Sequence, residues 1–530
     1  MTIELVIIRN FKGLKETELT FGKGVNILVG DNETGKSTVL EAINLALTKQ
    51  LNRRDVRYDL HPFLFHQSIV QDFVQSVRNG SVVQPLQIEI EIYLTDIPAL
   101  AEHKGTNNSR NADCPGVRLS IELDEKFGEE YQAYITDTER IRTVPVEFYH
   151  VDWRNFADEP LTSRAKPIQP ALIDPSALTN TYAASRYVLE LARDFLTRRQ
   201  KVDLALSYRH LREVFQGDAN VARINQELAK QQGVVSDREL SVALDMTARS
   251  SWDTSVTPHL DDLPLTLVGK GEQTSVKVKL ALEASEACEV LLIEEPETHQ
   301  SPGNLNRLLA HIAERVGDKQ VILTTHSSFV LNKLGIDATI MFDGKGGVRL
   351  RDLPDSTKRY FMKLPGHDTL RMVLAKRTIL VEGPSDELIV QRAYSQVHGT
   401  MPLEDQVEVI SVNSLAFKRF LDIAVLLDLD VTVVTDNDGD PEKVRAKYAE
   451  YAEYMNISVC YSNDAALRTL EPNLVESNGH EAINAILGTD YMDIEALIAH
   501  MEGNKADTAL KLFESPEDFA IPEYIRDAVR

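Results

Sequence analysis

The stretch Asn26–Leu47, NILVGDNETGKSTVLEAINLAL, decides the fold of this chain. An apolar strand pattern runs into Gly30-x-x-x-x-Gly35-Lys36-Ser37 and then into apolar residues at helical spacing. Glycines let backbone amides curl around phosphate, a lysine can meet the β- and γ-phosphates, and a hydroxyl can hold Mg2+. Asn32, Gly35, Lys36, Ser37 and Thr38 are the expected nucleotide contacts, with Ser37 also a metal ligand. The strand–loop–helix context that this motif requires is present, which separates it from a solvated glycine-rich turn.

Upstream, IELVIIRNFKGLKETELTFGKG reads as short strands with turns at Lys12-Gly13 and Gly22-Lys23-Gly24. Downstream, Ile88, Ile90 and Ile92 alternate with Gln87, Glu89 and Glu91, the period of a half-buried strand. Gly116–Asp124 repeats that pattern, so an antiparallel sheet is expected. Asn180–Phe215 has no internal Gly or Pro and carries apolar residues at helical spacing, which predicts an inserted helical arm. Beyond it, VLLIEE, VILTTH, TILVEG and VTVVTD alternate with helical patterns, the signature of parallel sheets buried by helices. The fold class is therefore α/β.

At 530 residues the chain is too long for one ordinary domain. Acidic residues number 81 against 57 basic ones, a net charge of −24. That balance argues against a generic nucleic-acid coat, although local basic stretches such as TRRQK (Arg198, Arg199, Lys201) can still meet DNA. No apolar stretch approaches the roughly 20 residues of a membrane span, and MTIELVIIRNFKG lacks a cleavage pattern. Cys114, Cys288 and Cys460 lack CxxC spacing and read as buried thiols of a cytoplasmic protein.

A phosphate loop calls for an acidic strand end, and EVLLIEEPETHQSP supplies Glu294 for the Mg2+ shell and Glu295 to orient or deprotonate a water. Alone, the pair could simply begin a solvated helix. In QVILTTHSSFVL a further buried strand ends in His326, where an imidazole could sense a γ-phosphate. This order resembles the ABC-type ATPases of the SMC and RecF-like branch. The resemblance implies dimerisation, with a signature loop of one subunit capping ATP held by another. The candidate loop is Gly269-Lys270-Gly271, with Gly269 where the familiar pattern has serine. Gln67 and Gln71 are both candidates for the Q-loop glutamine.

In the last third, RTILVEGPSDELIV puts Glu382 at a strand end and Asp386 and Glu387 on the next helical turn. The alternative is a helix capped by Ser385 with first-turn acids favoured by the dipole. VTVVTDNDGD then offers Asp436, Asp438 and Asp440. A calcium loop counted from Asp436 needs Gly at the sixth position and Glu at the twelfth, where Pro441 and Lys447 stand. Strand-end Glu followed by strand-end Asp-x-Asp looks like a Toprim domain, in which carboxylates at a parallel-sheet edge hold Mg2+.

Glu471 and Lys505 follow, and the combined order resembles the OLD (overcoming lysogenization defect) family of nucleases. That resemblance implies one metal on Glu382 and Asp386, another on Asp436 and Asp438, Glu471 as an added ligand, and Lys505 stabilising phosphate charge. It implies ATP with one Mg2+ (or Mn2+) and two such ions at the Toprim site. It further implies DNA as partner, a homodimer or tetramer through the ATPase and the arm, and a defence-system helicase or reverse transcriptase. The expected organisation is ATPase over 1–175 and 241–365, helical insertion over 176–240 and a Rossmann-like Toprim domain over 370–530. The rival readings are a DNA-repair or partner-gating ATPase that does not cut, and a topoisomerase or primase.

Overall fold

The computed structural model describes residues 1–30, 34–52, 54–81, 83–136, 141–162, 166–173, 196–230, 232, 237–244, 252, 256–283, 289–317, 319–350, 353–363, 367–412 and 417–530. The chain forms two compact units, Met1–Leu28 with Gly35–Thr325, and Val29–Thr34 with His326–Arg530.

The first unit holds an antiparallel sheet of β1 (Ile3–Phe11), β2 (Leu14–Thr20), β4 (Ile88–Leu94), β5 (Cys114–Leu123) and β6 (Tyr149–Asn155), in the order β2-β1-β4-β5-β6. The half-buried reading of β4 is corrected: Glu89 and Glu91 are buried like the isoleucines between them. Each is satisfied by partners from elsewhere. Glu89 pairs with Arg9 at 2.7 Å and Arg118 at 2.8 Å, and Glu91 accepts from the Ser109 amide and hydroxyl, both at 2.6 Å. A buried carboxylate is tolerable when paired in this way. Periodicity could not show that residues far along the chain cover the polar face.

The same unit contains parallel strands β3 (Val25–Val29), β7 (Pro170–Ile173), β8 (Val290–Glu294) and β9 (Gln320–Thr324), paired as β7-β8-β9-β3. Val290–Ile293 and Val321–Leu323 are fully enclosed, and burying each such aliphatic side chain contributes about 1.5–3 kcal/mol. Helix α1 (Lys36–Thr48) starts directly after Gly35, whose φ of 92° is left-handed. That left-handed φ favours glycine, and a Cβ there would also press on Leu14 Cδ2 at 2.7 Å. Of the predicted arm, α2 (Arg198–Gln216) is helical, with Arg198 and Arg199 exposed on its first turn; residues 180–195 lie outside the described residues.

In the second unit, β10 (Thr339–Phe342) and β11 (Gly347–Arg349) form an antiparallel hairpin. The unit's four-stranded sheet is parallel throughout: β12 (Arg377–Val381), β13 (Val407–Ser411), β14 (Val431–Val434) and β15 (Ile457–Cys460), in the order β13-β12-β14-β15. Helix α4 (Pro384–His398) packs with Ile379 and Val381 on one face, and α5 (Phe417–Leu427) packs with Leu380 on the other. The chain therefore reverses its winding between β12 and β14, and ligands in open α/β sheets sit at the carboxyl ends flanking such a switch. Cys114 and Cys460 are partly rather than fully buried, and Cys288 lies outside the described residues. Among the described residues no helix is long and apolar enough to cross a membrane.

Candidate active site

Glu382 leaves β12 and Asp436 follows β14 by two residues, so both emerge at the switch point. The Glu382 carboxylate accepts from the Thr435 hydroxyl at 2.5 Å and from the Asp436 amide at 3.0 Å, which ties the two strand ends together. Helix α4 begins after Gly383 with Pro384 in its first turn, where the missing N–H costs nothing. Ser385 is not its cap. Asp386 instead reaches back to accept from the Gly383 amide at 3.0 Å. Glu471 lies buried in the first turn of α7 (Leu470–Asn478), and Lys505, the first residue of α8 (Lys505–Glu514), stands 3.4 Å from it.

The electrostatics report four carboxylates crowded together. Burial, then Asp386, Glu382 and Glu471, push the Asp436 carboxyl up to about 8. Burial and Glu382 push Asp386 up to about 6, against the pull of the Gly383 amide. Burial works against the Lys505 ammonium, yet Glu471, Asp436 and Asp386 hold it above its ordinary range. Among the described residues Glu471 Oε2 is a buried acceptor with no hydrogen-bond partner, an orphan that a cation would satisfy. Oxygen donors in surplus negative charge suit a hard divalent ion. The cage is not preassembled: among the described residues no three His, Cys, Asp or Glu side chains stand ready to hold one ion. Glu382 and Asp386 each spend an oxygen on backbone amides instead.

The other aspartates of the loop divide by role. Asp438 is exposed at a left-handed φ of 49°, and its amide donates to the Arg468 carbonyl at 3.2 Å. Asp440 caps α6 (Pro441–Lys447) by accepting from the Lys443 amide at 3.1 Å. Three residues at the site escaped the sequence reading. Thr435 braces Glu382, and the buried Asn437 clamps the loop through the Ser462 and Asp464 carbonyls, at 2.9 and 2.7 Å. Both stand inside the quoted stretch but look like spacers between aspartates. Tyr524, from the C-terminal helix, gives no local signal.

These shifts set a pH dependence. In the folded chain Asp436 and Asp386 keep protons above the ordinary carboxylate value of 3.8, up to about 8 and about 6. The folded state then binds more protons than the unfolded state over that window, so stability falls as pH rises through it. With metal chelated, the melting temperature is expected to drop between mildly acidic pH and the upper end of that window. Mg2+ should restore it most at the upper end, and Asp436→Asn should flatten the profile. A melting temperature that rises over that interval in chelator would refute the account.

The predicted nucleotide residues are placed separately in the two units. In the first, Lys36 is buried at the start of α1, followed by Ser37 and Thr38. Glu294 ends β8, and Glu295 follows at a φ of 37°, its amide donating to the Thr324 carbonyl at 3.0 Å and its carboxylate accepting from Thr298 at 3.1 Å. Gly269 precedes α3 (Lys270–Glu283) in open space. Gly271 is tightly placed: a Cβ there would meet the His299 carbonyl oxygen at 2.4 Å, and its own carbonyl accepts from Gln300 at 2.7 Å. In the second unit, a Cβ on Gly30 would meet the Phe342 carbonyl oxygen at 2.2 Å. His326 also lies there, two residues beyond the end of β9 rather than at it. Asn32 is outside the described residues.

The fold and these residues define an ATPase-type domain followed by a Toprim domain. Family models agree: an AAA domain matches residues 6–169, a second AAA domain matches 137–332, and an "overcoming lysogenization defect protein-like, TOPRIM domain" matches 373–438. The chain thus carries an OLD-like Toprim domain behind an AAA/ABC-type ATPase. It is 23% identical over 470 residues, 83% of this chain and 82% of the relative, to an OLD nuclease of Thermus scotoductus. A local stretch of 45 residues, 8% of this chain and 5% of the relative, is 56% identical to the DNA double-strand break repair Rad50 ATPase of Methanopyrus kandleri. Among solved structures, an Smc head bound to the C-winged helix domain of ScpA matches 66% of this chain and 98% of its own, at 14% identity and a TM-score of 0.35. A likeness that loose carries no argument.

Proposed function

We propose that the protein is a divalent-metal-dependent DNA endonuclease whose Toprim site is coupled to an ATP-binding module. The observation that carries this reading is the convergence of Glu382, Asp386, Asp436 and Glu471 with Lys505 at one sheet edge, with Glu471 Oε2 orphaned among them. In this assignment Glu382 and Asp386 serve one ion, Asp436 and Asp438 a second, and Glu471 is an additional ligand. When bound there, Mg2+ or Mn2+ would supply Lewis-acid polarisation of a phosphodiester. Lys505 offers its ammonium to the charge that develops on the phosphate. Thr435 and the Asp436 amide hold Glu382 in place, and Asn437 fixes the loop that carries Asp436 and Asp438.

The ATPase assignment covers 1–175 and 241–365, with a helical insertion over 176–240 and the nuclease over 370–530. Lys36 and Ser37 bind ATP and its Mg2+, Glu295 activates water, and His326 senses the γ-phosphate. Gly269–Gly271 caps nucleotide across a homodimer. A role in phage defence, with a helicase or reverse transcriptase as partner, accompanies the OLD likeness. The test is incubation with supercoiled plasmid and Mg2+ or Mn2+, with and without ATP. Nicked or linear product that disappears in EDTA is expected. Cutting that persists in EDTA would overturn the metal role, and none under any condition would favour an ATPase that binds nucleic acid or gates a partner.

A further inference from the structure

Helix α9 (Glu523–Val529) packs against α4, β14 and β15. Its far end is pinned at the start of the sheet, where Arg377, the first residue of β12, donates to the Ala528 carbonyl at 2.8 Å. His398 Nε2 lies 2.8 Å from the Val529 carbonyl oxygen at the same end. The helix thus runs opposite to the strands, and its first turn points back to the edge where the carboxylates emerge. Tyr524 sits in that turn, 8% exposed, in one packed cluster with Val381, Val434 and Leu470. Val381 and Leu470 immediately precede Glu382 and Glu471, and Val434 stands two residues before Asp436. Among the described residues its hydroxyl has no hydrogen-bond partner, so its one proton is available to a group seated between it and the carboxylates.

We propose that Tyr524 is a positioning residue of the metal site, its phenol donating a hydrogen bond to an oxygen ligand of the cation assigned above to Asp436 and Asp438. This rests on the metal-nuclease reading above. Burial and then the surrounding carboxylates, Asp436 foremost, hold the phenol well above its ordinary range. A phenol in its ordinary protonated form carries one O–H donor. Groups that orient metal ligands in this way typically change affinity or activity by about 10–100-fold when removed.

The test compares Tyr524→Phe with wild type and with Tyr131→Phe, a control for removing a buried hydroxyl of the first unit. Mn2+ affinity is measured by calorimetry, melting temperature in chelator, and plasmid nicking across a Mn2+ titration. Tyr524→Phe is expected to fold, to weaken Mn2+ binding by about 10–100-fold and to shift the nicking curve to higher metal, whereas Tyr131→Phe binds as wild type does. Equal Mn2+ affinity in wild type and Tyr524→Phe overturns the proposal alone. Failure of the wild type to bind Mn2+ overturns the underlying metal reading. Loss of nicking with unchanged Mn2+ affinity, together with a detergent-stable protein–DNA adduct in the wild type, would make Tyr524 a nucleophile and also overturn the positioning role.

Discussion

Glu382→Ala is expected to lower plasmid cleavage by about 10²–10³-fold, the loss typical of removing one preorganised electrostatic group. Two effects combine. The substitution deletes an oxygen donor from the carboxylate cluster, and it releases the Thr435 hydroxyl and the Asp436 amide that Glu382 holds at 2.5 and 3.0 Å. Glu382→Gln separates them, because both bonds end on the one oxygen Oε1, and an amide oxygen there can accept both while the charge is gone. Both variants should lose Mn2+ affinity, and the alanine variant should lose more. Stability in chelator is expected to move the other way. Glu382 repels Asp386 and Asp436, so its removal lowers their proton affinity and relieves the metal-free fold. A variant that cuts less while melting no lower marks a site strained for function. Undiminished cutting by Glu382→Ala would remove the residue from the mechanism.

Strand ends were the most legible feature of this chain because their signal is local. Glu294 and Glu382 each close a run of apolar residues, and such runs are enclosed parallel strands in the structure. The order of those strands was not legible. Nothing in VTVVTD says that β14 lies beside β12 rather than beside β13, yet that placement brings Asp436 to Glu382. The reading of Glu89 and Glu91 as solvated failed for a related reason. Their partners Arg9, Arg118 and Ser109 arrive from other strands and loops, and pairing lets a carboxylate occupy a position that periodicity assigns to water.

Within the candidate site the acidic residues drew attention because clustered carboxylates are rare in apolar settings. Their supports did not. Thr435 and Asn437 act through single hydrogen bonds that any surface Thr or Asn could make, so sequence alone cannot rank them. Tyr524 is further removed, since its relevance depends on α9 folding back along the sheet. The resemblance to a family supplied the grouping of Glu471 and Lys505 with the earlier acids. The structure places that pair 3.4 Å apart and in the field of Asp436 and Asp386.

In the ATPase module, Glu295→Gln is expected to reduce ATP turnover by about 10²–10⁴-fold, the contribution of a positioned general base, with nucleotide affinity retained. The backbone argues that the residue is held deliberately. Its φ of 37° is disfavoured for a side chain with a Cβ, and it persists because the amide is anchored to the Thr324 carbonyl at 3.0 Å. Thr298 donates to the carboxylate at 3.1 Å, and glutamine can accept the same bond, so the substitution removes charge and basicity while leaving the loop intact. Lys36→Ala supplies the contrast. Lys36 is the buried first residue of α1, and in the proposed ATP site its loss is expected to abolish binding as well as turnover. Phosphate release and titration with a fluorescent ATP analogue distinguish the two. Wild-type turnover in Glu295→Gln would exclude it as the base, and that role would then have to fall to another group beyond β8.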